Sequence, residues 1–277
     1  MNVTKLHILL CFILTSLITV AQDSKDYYGL EKEDTTSRFS YGFNIGGYFA
    51  NAKSAIIYNG SPSSTIYGIN YIFNQPFNRQ TFDNYFQFPY EIAEYPIESR
   101  YQTSIELGVH VNYRISRLIS VYAELNAVLL DYENFFTVAI DDPNNRTPGP
   151  DFQQLPIIGE ERRFNLNIGT QVSYYEQNGT KAYLSFFGNM NDTEMQRNFI
   201  IVDNVNYEIF HQTDNNLDPR PGGIGYGLGG GTGLKFHFTD RIVGDLYYNL
   251  YYTEAYFTED FQPTGFNHSI GIRLLWN

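Results

Sequence analysis

The feature that most constrains this chain is a period-two alternation of apolar and polar residues, which recurs eight times between Phe39 and Trp276. Successive side chains of a β-strand point to opposite faces, so each stretch reads as a strand with one greasy and one wet face. The first carries Phe39, Tyr41, Phe43, Ile45, Gly47 and Phe49, and the second runs from Tyr101 through Ile105, Leu107, Val109 and Val111 to Tyr113. The third spans Ile119–Leu129, the fourth Phe164–Tyr174, and the fifth holds Ala182, Leu184 and Phe186. Tyr226–Phe238, Leu246–Tyr252 and Phe266–Trp276 complete the set. Each is roughly 10 to 14 residues long, where a tilted membrane-crossing strand needs about 9 to 11 and a soluble strand averages about five or six.

The connections are sorted as well. Arg114–Arg117, Glu176–Gly179 and Thr239–Arg241 are tight turns, with Asn178-Gly179 and Asp240 suited to turn geometry. Long connections lie between them, at 51–99, 131–162 and 191–222, with a shorter one at 257–265. Alternating short and long connections predict an all-β fold: an eight-stranded antiparallel up-and-down transmembrane β-barrel with long extracellular loops. Composition agrees. The 24 Tyr, 22 Phe and single Trp make the chain 17% aromatic, and 23 Gly accompany them. Mean hydropathy is only −0.32, and no apolar run of 18 residues occurs after position 21. A net charge of −12 excludes a nucleic-acid binder.

Residues 1–21 carry Lys5, an apolar stretch from Leu6 to Val20 and a small residue at Ala21, the pattern of a secretory signal peptide. Removing them would remove Cys11, the one cysteine, and leave no thiol or disulfide chemistry. Residues 22–38 form a short charged tail, expected in the periplasm, and residues 39–277 form the barrel.

With the cut at Val20-Ala21-Gln22, the alternating strands and the terminal Gly271-Ile-Arg-Leu-Leu-Trp-Asn277, the chain resembles small outer-membrane β-barrels of the outer-membrane protein A and X type, Bacteroidetes representatives especially. In such barrels a final aromatic resembles a recognition signal for the assembly machinery; here Trp276 is penultimate. The resemblance implies residence in the outer membrane of a Gram-negative bacterium, in contact with its lipid and lipopolysaccharide.

Residues between the apolar set should face the lumen. They include Glu106, His110 and Arg114 on the second strand, Glu124 on the third, and Lys235, Asp245 and Arg273 on the last three. Similar heights on neighbouring strands predict ion-pair reach among Lys235, Asp245 and Arg273, with Glu124 near Arg114 or His110. Paired charges would plug so narrow an interior, whereas an open arrangement would make a narrow pore. Glycines 225, 227, 229, 231 and 233 form an inward stripe that Tyr247 and Tyr251 would cover.

The first long connection is unusually aromatic. Tyr67, Tyr71, Phe73, Phe77, Phe82, Tyr85, Phe86, Phe88 and Tyr90 are candidates for a packed outer structure or a surface for a protein partner. Asn78 would cap a short helix to Phe86, while 55–58 and 65–71 have strand-like composition. The stretch Asp141–Asp151 holds oxygen ligands without a calcium-loop spacing and reads as a solvated acidic loop. Barrel hydrolases resemble one another in a His-x-Ser pair. The nearest approach is His268-Ser269, whose neighbours must face opposite sides, and His211 has Asp214 but no serine nearby. No metal or cofactor motif occurs. The expectation is a non-enzymatic barrel acting through its outer loops, with a narrow channel and a lipid-modifying enzyme as alternatives.

Overall fold

The computed structural model describes residues 38–145, 149–177, 179–213, 216–218, 220–239 and 241–277. The expected leader and all of the tail before Arg38 lie outside them. The order is β1 (Phe39–Phe49), α1 (Ala52–Ala55), α2 (Ile69–Asn74), α3 (Pro76–Phe86), β2 (Tyr90–Glu94), β3 (Ser104–Arg114) and β4 (Ile119–Ile140). Then come β5 (Asp151–Gln177), β6 (Thr180–Val202), β7 (Val205–Glu208), β8 (His211–Thr213), β9 (Asn216–Asp218), β10 (Gly222–His237), β11 (Ile242–Glu254) and β12 (Thr264–Trp276). The fold is a ring of hydrogen-bonded antiparallel strands. Going round, β1 pairs β3, β3 pairs β4, β4 pairs β5, β5 pairs β6 and β6 pairs β10. The pairings β10–β11, β11–β12 and β12–β1 close it, so no ring strand presents a free edge along its paired length.

Tight connections at one end join β3 to β4, β5 to β6 and β10 to β11. Gly179 there has φ of 77°, a left-handed conformation that favours glycine. The long connections gather at the opposite end, where two expectations fail. The segments 131–162 and 191–222 are not simple loops. The β4–β5 ladder continues from Leu129↔Arg162 to Ile140↔Asp151, and β6 runs to Val202 before turning back as β7. The aromatic connection folds as helices where strand-like pieces are expected, and adds one short strand, β2, paired with β4. Residues 55–58 lie in α1 and a following 3-10 turn, and Ile69 opens α2. Gln75 is the N-cap of α3 and Pro76 its first residue; Asn78 sits in the first turn and donates to the Ile72 carbonyl at 3.0 Å.

Side-chain polarity divides the molecule in two. Near the turns the outside of the ring is apolar: Phe43, Ile45, Ile105, Leu125, Ile168, Phe186, Leu228 and Ile272 are all exposed, Leu228 by 72%. The inside there holds Asn44, Glu106, Glu124, Asn167, Asn189, Asp245 and Arg273, all buried. Beyond the belt the arrangement inverts. Leu130, Tyr132, Phe136, Val138, Leu155, Ile157, Ile200 and Val202 are buried, while Asp131 and Glu133 lie outside. Surface pairs Arg162–Glu194 and Arg197–Glu160 stand at this boundary. The inner face of the extended hairpins is roofed by the helices of the first connection. Phe73, Phe82 and Phe86 pack into one core with Phe136, and Tyr58 stacks on Tyr132 at 5.8 Å. Gly159 makes room for that ring, since a Cβ there would fall 2.2 Å from Tyr58 Cδ1.

Candidate functional site

Two polar clusters and a cap occupy the interior. The deeper cluster is built by the inward positions of β1, β3, β4, β6, β11 and β12. Arg273 donates through Nε to Glu124 at 2.6 Å and through Nη1 to Asp245 at 3.1 Å and the Tyr183 hydroxyl at 3.0 Å. Tyr183 in turn donates to Asp245 at 2.8 Å. His110 Nδ1 lies 2.9 Å from Glu124, whose other oxygen accepts from Asn126 at 2.9 Å. Asn44 donates to Asn126 at 2.7 Å. The Arg273 guanidinium lies 3.7 Å from the Tyr247 ring centroid, and the Tyr247 hydroxyl donates to Glu106 at 3.1 Å. Two carboxylates thus share one bidentate-capable cation in a buried site, which is the compensation such charges need.

Asp245 and Arg273 come together as expected, and Lys235 differs. Lys235 stands opposite Asp245 in the ladder, yet its Nζ turns to Gln171 Oε1 at 2.6 Å and lies 5.0 Å from the Tyr183 ring centroid. Of the two neighbours expected for Glu124 it takes His110, and Arg114 is half-buried at the turn end. The rings of Tyr183 and Phe187, rather than Tyr247 and Tyr251, lie over Gly233 and Gly229, while Gly227 and Gly231 meet Thr253 and Asn249. Cβ atoms at Gly233 and Gly229 would fall 2.4 Å and 2.3 Å from those rings.

The second cluster escaped the alternation. Arg163 donates through Nε to Glu161 at 2.9 Å, and Glu161 accepts from the Tyr101 hydroxyl at 2.5 Å and from Tyr58 at 3.3 Å. Arg163 also reaches Tyr48 at 3.3 Å and Asn267 at 3.4 Å. Burial, followed by the neighbouring Glu161 charge, holds the Tyr58 and Tyr101 phenols well above the ordinary tyrosine range. Between the clusters Phe187 meets Tyr251 at 5.2 Å and Tyr122 at 6.4 Å, so rings fill the middle of the lumen.

The cap corrects the proposed partner surface. Phe73, Phe82 and Phe86 are core residues and offer nothing to a partner. Tyr90 packs on Phe86 at 4.5 Å, and Tyr85 is half-buried, its hydroxyl accepting from Gln153 at 2.6 Å. Phe88 is half-buried, and Tyr67 packs edge-on against Tyr71 at 5.0 Å. Of the nine rings only Tyr71 and Phe77 are exposed, Phe77 by 77%; Ile66 and Ile97 are exposed as well. Beside α2, α3 and β2 lies a cavity of about 340 Å³, lined by Asn70, Asn74, Arg79, Asp83, Tyr90 and Glu91 among others. It joins several hydrogen-bonding groups to one aromatic edge.

His268 and Ser269 part as strand neighbours must. His268 Nδ1 lies 2.6 Å from the Tyr248 hydroxyl, while buried Ser269 lies 3.0 Å from the Tyr251 hydroxyl. His211 is buried with Asn198 Nδ2 at 3.2 Å from its Nε2; Asp214 lies outside the described residues. Asp142 accepts from the Asn144 amide at 2.8 Å, and positions 146–148 of that acidic tip are outside the described set.

No protein-family model and no curated protein matches the chain. Solved structures do resemble it in fold. Neisserial surface protein A matches with a TM-score of 0.44 at 9% identity, over 88% of this chain and 99% of that one. The outer-membrane protein OprG from Pseudomonas aeruginosa matches with a TM-score of 0.39 at 8% identity, over 86% and 94% of the two chains. Ail, the attachment invasion locus protein of Yersinia pestis, matches with a TM-score of 0.33 at 10% identity, over 86% and 99%.

Proposed function

We propose that this chain is an eight-stranded transmembrane barrel of the Gram-negative outer membrane, without enzymatic activity. Its work is done by the outer cap on a protein or envelope partner. The observation that carries the membrane reading is the inverted polarity of the turn-end half. A barrel in water would bury Leu228 and Ile272 and expose Glu124 and Arg273; here the reverse holds. Outward apolar positions run from Phe39 to Phe49 on β1, eleven residues, and from Ile105 to Tyr113 on β3, nine residues, both close to the length of a tilted crossing.

What supports the cap as the working part is the contrast between a filled lumen and an ordered outer structure. The Arg273 and Arg163 clusters, with the rings between them, leave little room for bulk passage. The cap presents Phe77, Tyr71 and the polar cavity around Asp83 and Arg79 on a rigid base, and rigid aromatic anchors favour recognition. The test is co-purification in mild detergent of intact protein and of Phe77→Ser/Asp83→Ala, with folding of both checked by heat-modifiable gel migration. The variant should fold and lose its partner. A variant that keeps every partner, or intact protein that purifies alone and conducts ions across planar bilayers, overturns the reading in favour of a narrow channel.

A further inference from the structure

The turn end of the lumen holds a second, oppositely charged feature. Arg38, Arg114, Arg117, Lys181 and Lys235 line one cavity of about 80 Å³, together with Asn112 and others. Five of the chain's 18 Lys and Arg therefore converge at one mouth of a molecule whose net charge is −12. Glu176 reaches Arg117 at 3.3 Å and Lys181 at 3.6 Å, so part of this charge is compensated. Asn277 also lines the cavity, and Asp240 of the third turn lies outside the described residues.

Lys235 is the decisive group. Its partners are the neutral amide oxygen of Gln171 at 2.6 Å and the Tyr183 ring; among the described residues no carboxylate lies within ion-pair distance of it. Asp245, opposite it in the ladder, is engaged by Arg273 and Tyr183 instead. Lys235 is thus a half-buried cation whose direct contacts are neutral and which feels Asp245 only at longer range, so an anion entering the cavity would find a charge free to pair.

We infer that the turn-end cavity binds a phosphate group, with Lys235 at its floor and arginines at its rim. At about 10–15 Å³ of such space per water the cavity holds roughly five to eight waters, which suits one tetrahedral oxyanion. Guanidinium and ammonium donors arranged around one space favour a multivalent oxyanion over a halide. Free phosphate and the headgroup of an anionic phospholipid offer the same chemistry, the second resting on the bilayer reading above.

The test uses the full chain, refolded in maltoside micelles, with calorimetric titration of inorganic phosphate at low salt. Saturable one-to-one binding is expected, weakened at least tenfold in Lys235→Met and weakened also in Arg38→Gln, an exposed position that leaves the core untouched. Arg197→Ala, at the far side of the belt, should bind as the parent does. A second arm follows the Lys235 side-chain NMR signal in nanodiscs of phosphatidylcholine with and without phosphatidylglycerol. A shift with phosphatidylglycerol and no free phosphate assigns the headgroup as the source, and a shift with phosphate alone assigns the free ion. No saturable binding in either arm, or equal binding by folded Lys235→Met, overturns the proposal.

Discussion

The two halves of β4 obey opposite rules. From Val121 to Leu129 its odd-numbered residues are apolar and face out, while Glu124 and Asn126 face in. From Leu130 onward the even-numbered Leu130, Tyr132, Phe136 and Val138 are apolar and face in, Asn134 being the exception, while Asp131 and Glu133 face out. The backbone does not change; its ladder with β5 runs unbroken through the switch. One strand is therefore written for two solvents, and its partners follow, with Asn165 and Asn167 inward in one half of β5 and Leu155 and Ile157 inward in the other. What separates the halves is which side must be dry. The lower half is held by hydrogen-bonded charge inside an apolar sleeve, the upper by an apolar core inside a polar skin.

If that division is right, the halves should fail separately and for different reasons. The largest effect is expected from Arg273→Met, which strands Glu124 and Asp245 as buried carboxylates sharing no cation. It should destabilise the ring by about 4 kcal/mol, read as a lowered urea midpoint of heat-modifiable migration. A midpoint shift of under about 1 kcal/mol would show that water, not Arg273, balances those acids.

Tyr58→Ala should act on the other half alone. It removes a ring packed on Tyr132, Tyr101 and Phe257, a loss of about 3 kcal/mol for a buried aromatic. The expected result is rapid proteolysis within residues 60–95 while the ring keeps its folded gel mobility. Simultaneous loss of both would show a single cooperative unit.

A smaller effect follows from pH. The unfolded Tyr58 and Tyr101 titrate near 10, and in the fold they titrate higher. The unfolded cap therefore releases protons first, and the associated stability, complete below pH 10, declines as pH rises above it. Protease resistance of the cap should fall above pH 10, less steeply in Tyr58→Phe/Tyr101→Phe. Equal slopes in parent and variant would assign the transition to other groups. Least of all is expected from Arg197→Ala. That exposed pair with Glu160 sits in the polar skin, and neither the unfolding midpoint nor cap proteolysis should change.

Much of the ring was legible because alternation reports which side of a strand is wet. The inward placement of Glu106, His110, Glu124, Asp245 and Arg273 needed only parity. The upper half was hidden by the same device. At Leu129-Leu130 two apolar neighbours shift the alternation by one residue, and a reader following odd positions sees the strand end. A phase change between adjacent apolar residues was the available signal. Glu161 and Arg163 lay in that unread stretch, so their cluster was missed. Lys235 shows a different limit, since register placed it beside Asp245 but side-chain direction sent it to Gln171. The nine cap rings could not be sorted into core and surface from sequence, because the contacts that bury Phe73 and Phe82 come from Phe136 and Tyr207, far along the chain.

That distance sets a chronology. Tyr58 meets Phe257 at 6.3 Å across 199 positions (257 minus 58), and Gly60 would touch both Ile157 and Ile209 if it bore a side chain. Contacts so remote in sequence form late, after the intervening chain has found its place. During synthesis the first aromatic connection emerges well before the segments that shelter it. It must wait, with its rings unsheltered, until β11 and the chain beyond it arrive. Any chaperone that guards the unfinished chain has its longest task at residues 57–90.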